Sequence, residues 1–157
     1  MASAYTLTPE FLDHLMLEAL NEARKAASLN EVPVGAVIAL GAEIISRGHN
    51  TTERDSTVVA HAETNAIKNA ATIAKTWRLS ECVICVTLEP CTMCLGAIRL
   101  ARIPTLIFGA GDSRQGAVGS LYDLSQDPRL GTPLRVIGAV REHECQNMLS
   151  DFFKTKR

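Results

Sequence analysis

Two short strings constrain this chain more than any other feature: His61-Ala62-Glu63 and, starting 27 positions after Glu63, Pro90-Cys91-Thr92-Met93-Cys94. A fold that uses both must bring one imidazole and two thiolates to a common point. Those are three soft ligands suited to zinc, and they leave one tetrahedral position open, while Glu63 stands adjacent without being needed as a ligand. A structural zinc is usually closed by four protein ligands. An open position lets zinc take up water and lower its pKa from 15.7 to roughly 7, so the pattern points to catalysis, with one Zn2+ per subunit held by His61, Cys91 and Cys94.

The surrounding residues support that convergence. Ala60, Ala62, Ala66, Ile67, Ala70, Ala71 and Ala74 recur at helical spacing, which predicts a helix over 60–74 with His61 and Glu63 in its first turn. A second helix is predicted over 92–101, opening at the cysteines, so that Cys91 and Cys94 can point the same way. The positive ends of both helix dipoles favour thiolate there. Another Cys-x-x-Cys, Cys82 and Cys85, lies in the β-branched run 82–88. That run reads as a buried strand, whose odd spacing sends the two side chains to opposite faces. Both therefore read as core, as does Cys145, because unpaired cysteine packs as a small hydrophobe. A redox role for Cys91 and Cys94 would need neither His61 nor Glu63.

The other periodicities build the frame. A first helix is predicted over 9–29, with Thr8 as N-cap, Pro9 in the first turn, and Leu12, Leu15, Met16, Ala19 and Ala23 on one face. Strands over 34–40 and 43–47, joined at Gly41-Ala42, read as an antiparallel hairpin. Helix 60–74, strand 82–88, helix 92–101 and strand 105–108 then alternate, which calls for parallel strands joined by helical crossovers. After a further crossover, a fifth strand over 134–140 should lie parallel to the fourth, and a last helix should cover 142–154. The fold class is α/β, a three-layer α/β/α sandwich.

At 157 residues and 46% hydrophobic content, the chain suits one well-packed domain spanning 1–157. The start lacks the basic-then-apolar pattern of a signal peptide, since Glu10, Asp13 and Glu18 interrupt it. No apolar stretch reaches the roughly 18 residues needed to cross a bilayer. Five cysteines, an odd number without a disulfide-scaffold pattern, fit a reducing cytoplasm. Formal net charge is −1, but residues 1–77 hold 6 Lys/Arg against 9 Asp/Glu and residues 78–157 hold 10 against 8, a tilt from −3 to +2. The tail Phe152-Phe153-Lys154-Thr155-Lys156-Arg157 sets aromatic faces suited to base stacking beside cations suited to phosphates. The same residues also describe an ordinary terminal helix with packed aromatics and solvated charges.

The His-x-Glu and Pro-Cys-x-x-Cys strings resemble those of the zinc-dependent nucleobase deaminases. Along nearly its whole length the chain is similar to one branch of them, the bacterial tRNA-specific adenosine deaminases. The matching stretches are Val32-Pro33-Val34-Gly35-Ala36-Val37, Gly48-His49-Asn50, Thr87-Leu88-Glu89-Pro90 with the cysteines, Phe108-Gly109-Ala110-Gly111-Asp112, Gly116-Ala117-Val118-Gly119-Ser120 and Asp151-Phe152-Phe153. The zinc strings mark the superfamily, whereas the Phe-Gly-Ala loop and the Asp-Phe-Phe tail mark the tRNA branch.

The resemblance implies a five-stranded mixed sheet of order 2-1-3-4-5, of the cytidine deaminase-like type. It implies hydrolytic deamination of adenosine to inosine at the wobble position of a tRNA anticodon, where an unstacked base can enter a deep pocket at little cost. Glu63 would take a proton from the activated water, the hydroxide would attack adenine carbon 6, and Glu63 would deliver protons to ring nitrogen 1 and to the departing amine. Asn50, Asp112 and Phe153 would contact substrate, and a homodimer would supply the RNA surface. From the residues alone, Asn50 is equally a turn-forming asparagine and the Gly109–Ser120 loop equally a connection.

Two departures flank the base pocket. Val58-Val59 stands where the family usually has Pro-Thr, and Thr64-Asn65-Ala66-Ile67 is closer to deoxycytidylate deaminases. A small-molecule deaminase acting on guanine or a cytosine nucleotide therefore remains an alternative, as does a noncatalytic zinc-stabilised binding module, which would require a fourth protein ligand and no Glu63.

Overall fold

The structure, a computed structural model, describes residues 5–156, so Arg157 of the tail and Met1–Ala4 of the start lie outside the described residues. Helix α1 (Pro9–Ser28) begins as its sequence requires: the Thr8 hydroxyl accepts from the Phe11 amide at 3.2 Å, and proline occupies the first turn. Its Leu15, Met16, Ala19, Leu20 and Ala23 are fully buried. Strands β1 (Gly35–Leu40) and β2 (Glu43–His49) form the antiparallel hairpin, turning through Gly41 at φ +60°. After the short helix α2 (Thr52–Asp55) come α3 (Ala62–Ala74), β3 (Cys82–Leu88), α4 (Thr92–Leu100), β4 (Thr105–Ala110), β5 (Arg135–Ile137) and α5 (Glu142–Lys154).

The sheet runs β2-β1-β3-β4-β5. Strand β1 is antiparallel to both β2 and β3, while β3, β4 and β5 are mutually parallel, which makes the sheet mixed. Residues of β3 alternate between faces as a strand must. Cys82, Ile84 and Val86 join Ala62, Ala66, Ala70, Leu95 and Ile98 of α3 and α4. Cys85 joins Phe11, Leu15 and Met16 of α1 and Cys145 of α5 on the other side. The odd spacing of Cys82 and Cys85 thus places one in each half of the core, and burial pushes both thiols up from their ordinary range. The three layers and the strand order agree with the expected α/β/α sandwich.

Three details differ from the sequence reading, each for a physical reason. Strand β5 is three residues long rather than seven, because Gly138 packs its backbone against the Phe108 ring and Ala139 adopts φ +61°. The stretch from Gly111 to Leu134 contains no α-helix, only a 3-10 turn at Pro128–Leu130. It is held instead by Arg99 of α4, whose guanidinium donates to the carbonyls of Leu124, Ser125, Leu130 and Thr132. Helix α3 starts at Ala62, two residues later than expected, since the Ala60 carbonyl accepts from the Thr51 amide and the Thr64 hydroxyl binds the carbonyls of Val59 and His61.

Helix α3 lies unusually close to the sheet. A Cβ on Gly48 would sit 2.5 Å from both the Ala62 carbonyl oxygen and the Ala66 nitrogen, so only glycine lets the first turns of α3 approach β2. Further along, the Ser46 hydroxyl donates to the Ala66 carbonyl and the Asn69 amide to the Arg47 carbonyl. Gly48→Ala is expected to destabilise the fold by about 1–3 kcal/mol through overpacking and to reduce metal content together with melting temperature. Calorimetry and metal analysis check this, and a variant unchanged in both would show that α3 can shift freely.

Candidate active site

The site is built at the starts of two helices. His61 is the N-cap of α3 (φ −79°, ψ 163°) and Cys91 the N-cap of α4 (φ −75°, ψ 174°), and neither side chain makes a capping hydrogen bond. Serine, threonine or aspartate in these positions would turn inward to the helix amides. Here the N-cap side chains are left to face each other. His61 Nδ1 lies 3.8 Å from Cys91 Sγ and 3.4 Å from Cys94 Sγ.

Among the described residues this trio is the one group of three or more His, Cys, Asp or Glu side chains whose ligand atoms all lie within 4.8 Å of one another. Zinc bonds of about 2.3 Å to sulfur and 2.0–2.1 Å to nitrogen, at a tetrahedral angle, separate the two ligand atoms by about 3.6 Å. The observed separations bracket that value, so the residues fit the metal. The protons of the trio also suit it. Hydrogen bonds from Cys94 and His61 hold the Cys91 thiol down to about 4 against its partial burial. The hydrogen bond to Cys91 raises His61, and a separate hydrogen bond from Cys94 to Cys91, together with burial, raises Cys94. Protons are thus shared among three crowded ligand atoms, and a divalent cation would displace them.

Glu63, in the first turn of α3, is 4% exposed. Burial pushes its carboxyl up to about 7, with the Cys94 thiol within hydrogen-bonding reach. A carboxyl poised there can give or take a proton near neutrality. In front of the trio opens a cleft of about 370 Å³, within the size range of small-molecule sites. Val58, Thr92, Arg114, Gln115 and Tyr122 line it with His61 and Cys91, and the Thr92 and Tyr122 hydroxyls are 2.7 Å apart.

The three expected substrate contacts lie outside that lining. Asn50 is buried; its carbonyl oxygen accepts from the amide and hydroxyl of Thr52, and its Nδ2 donates to the Val32 carbonyl at 3.3 Å. The Asp112 carboxylate accepts from the amides of Arg114 and Gln115, shaping the loop start. Phe153 is 47% exposed and packs edge-to-face on Phe152, while Lys156 reaches Asn30 at the end of α1.

Other residues position the site without having stood out in the sequence. Asn65 donates from Nδ2 to the His49 carbonyl and the Thr51 hydroxyl, tying the end of β2 to α3. Buried Glu31 accepts from the amides of Glu53 and Arg54 and so holds α2 beside the cleft's Val58. Buried Glu89 accepts from three amides of the 111–120 loop. None of these has a local pattern, because each partner lies remote in sequence and all but the Thr51 hydroxyl are backbone groups. For Glu89 and Glu31, a carboxylate beside a strand end without a nearby cation in sequence was the only available signal.

Comparison with known proteins agrees with this geometry. Residues 9–110 match the family model described as the cytidine and deoxycytidylate deaminase zinc-binding region. The tRNA-specific adenosine deaminase of Bacillus subtilis is 44% identical over 142 residues, covering 90% of this chain and 88% of that protein. That of Haemophilus influenzae is 43% identical, covering 94% and 86%. The chain belongs to the tRNA-specific adenosine deaminase family. A solved structure from studies of A-to-I editing by tRNA:A34 deaminases at the wobble position of transfer RNA superposes on this deaminase with a TM-score of 0.81, at 39% identity over 87% of this chain and 99% of that one. The guanine deaminase of Nitrosomonas europaea shares the fold at a TM-score of 0.77 and 19% identity. The deaminase is therefore a zinc-dependent hydrolase, with its one His/Cys/Cys group among the described residues inside the matched zinc-binding region.

Glu63→Gln is expected to retain about one zinc per chain, as a group outside the trio should, while His61→Ala and Cys91→Ala lose most of it. Elemental analysis of the purified variants checks this. Metal loss from Glu63→Gln would make Glu63 a ligand.

Proposed function

We propose that this chain hydrolyses adenosine to inosine and ammonia at the wobble position of a tRNA anticodon, with His61, Cys91 and Cys94 holding zinc and Glu63 moving the protons. The observation that carries the reading is the His/Cys/Cys cluster with the buried Glu63 carboxyl beside it, in a chain alike to tRNA-specific adenosine deaminases along 90% of its length. When bound, zinc supplies a Lewis acid that brings the pKa of water close to neutrality.

The chain's own groups do the rest. Glu63 removes a proton from the attacking water as it adds to adenine carbon 6 and places it on ring nitrogen 1; it then carries the proton of the new carbon 6 hydroxyl to the exocyclic nitrogen, so that the carbon–nitrogen bond breaks, ammonia leaves and the carbon 6 carbonyl of inosine forms. Burial suits the carboxyl to this, because a group near pKa 7 both accepts and returns protons without a large energy step. Asn50 spends one Nδ2 hydrogen on Val32, and its second is proposed to reach the base. Asp112 is proposed to position the flanking nucleotides through the loop it shapes, and Phe153, half exposed, to stack on a base.

An anticodon loop presents an unstacked adenine, which a cleft of this size can admit. A homodimer is the proposed assembly, supported by the exposed Val58, Val59, Leu121 and Tyr122 at or next to the cleft. Residues 1–157 are read as one deaminase domain working in the cytoplasm, and among the described residues no helix is long and apolar enough to cross a membrane.

Purified protein offered an anticodon stem-loop with a wobble adenosine is expected to form inosine and ammonia in equal amounts, and to leave free guanine, cytidine and deoxycytidylate unchanged. Guanine turnover without inosine in the RNA would overturn the reading in favour of a free-base enzyme.

A further inference from the structure

The cleft has two sides with different origins. One is the metal trio, carried by the starts of α3 and α4. The other is the segment from Asp112 to Tyr122, which contributes Arg114, Gln115 and Tyr122 to the lining and contains no helix or strand of its own. A segment of that kind is ordinarily mobile, and a wall that wanders cannot hold a substrate at a fixed distance from the metal.

The segment is anchored at both ends by one side chain. Glu89 is 2% exposed. Its Oε2 accepts from the Asp112 amide at 2.9 Å, and its Oε1 accepts from the amides of Val118 and Ser120 at 2.9 and 3.0 Å. Hydrogen bonds to an ionised acceptor are roughly twice as strong as neutral ones, and three of them compensate the burial of the charge. The loop also leaves room for the carboxylate: a Cβ on Gly116 would fall 2.4 Å from Oε2. Glu89 itself directly follows β3 and is two residues before Cys91, and the Ala117 amide donates to the Pro90 carbonyl between them. The strand end that presents a metal ligand is therefore the same piece of backbone that carries the anchor of the opposite wall.

We propose that Glu89 is a positioning residue that fixes the substrate-facing wall, Arg114 and Gln115 above all, at a set distance from the metal ligands. It touches neither metal nor substrate and acts through the loop. A glutamine cannot replace it, because one of its two head atoms becomes a donor facing amide donors. The inference rests on the proposed RNA substrate only for its kinetic readout.

The test uses the zinc-loaded enzyme, the single variants Glu89→Gln, Arg114→Ala and Gly116→Ala, and the double variant that combines the first two. Glu89→Gln is expected to keep its zinc and to lose exchange protection at the amides of Asp112, Val118 and Ser120. With the stem-loop substrate, KM should rise about tenfold or more with kcat changed by less than about threefold, as expected when binding is lost but the chemistry is intact. Arg114→Ala should raise KM in the parent enzyme and add nothing on top of Glu89→Gln, since the wall is already misplaced. Gly116→Ala, which disturbs the same contact from the loop side with Glu89 intact, should reproduce the KM effect even if Glu89→Gln folds poorly. Unchanged amide protection in Glu89→Gln, a fall in kcat with KM unaltered, or effects of Glu89→Gln and Arg114→Ala that simply multiply would each overturn the proposal. A parent enzyme inert toward the stem-loop would instead overturn the proposed function, and the exchange measurement would decide the anchor by itself.

Discussion

Two helices begin at the His/Cys/Cys cluster, and each gives up its own cap to do so. The N-cap positions of α3 and α4 are filled by His61 and Cys91, whose side chains contact each other rather than the first-turn amides. Forgoing a side-chain cap costs about 0.5–2 kcal/mol per helix, and the amides left free keep the positive end of each helix dipole turned toward the cluster. That field favours thiolate at Cys91, whose thiol is held down to about 4. The arrangement survives because the helices are held elsewhere: α3 by its close approach at Gly48 and by the Ser46 and Asn69 bonds to β2, α4 by the buried Leu95 and Ile98.

The parallel half of the sheet explains why the cluster lies where it does. Strands β3 and β4 both run toward the end of the sheet where α4 and the Gly111–Ser120 loop begin. In open α/β sheets this carboxyl end is where ligands bind. Glu63 lies beside Cys94, buried enough to push its carboxyl up to about 7. The His/Cys/Cys cluster, the buried Glu63 and the cleft thus follow from one topological fact, and the loop anchored by Glu89 closes the far side.

Much of this was legible in residue order. His61, Glu63, Cys91 and Cys94 declare themselves because they are local in pairs and because their residue types suit an open zinc site. The split of Cys82 and Cys85 between the two core faces follows from the period of a strand, and the Thr8 cap from the chemistry of helix starts. What escaped reading depends on long-range backbone contacts. Helix α2 is four residues long and owes its place to Glu31, more than twenty positions earlier. The expected helical crossover before β5 is replaced by a loop clamped by Arg99, and nothing near residues 124–132 announces a guanidinium from α4. Asn50, read both as a turn residue and, by family resemblance, as a base contact, is engaged in the turn through Thr52, and among the described residues its Nδ2 donates one hydrogen bond, to the Val32 carbonyl.

X-ray absorption at the zinc edge on the purified, metal-loaded protein tests the central claim most directly. A sphere of two sulfurs at about 2.3 Å and two light atoms at about 2.0–2.1 Å is predicted, with one of the light atoms lost or replaced when a transition-state mimic of hydrated purine is added. A shell of four protein ligands, unchanged by the mimic, would contradict an open catalytic centre and leave the metal a purely structural role.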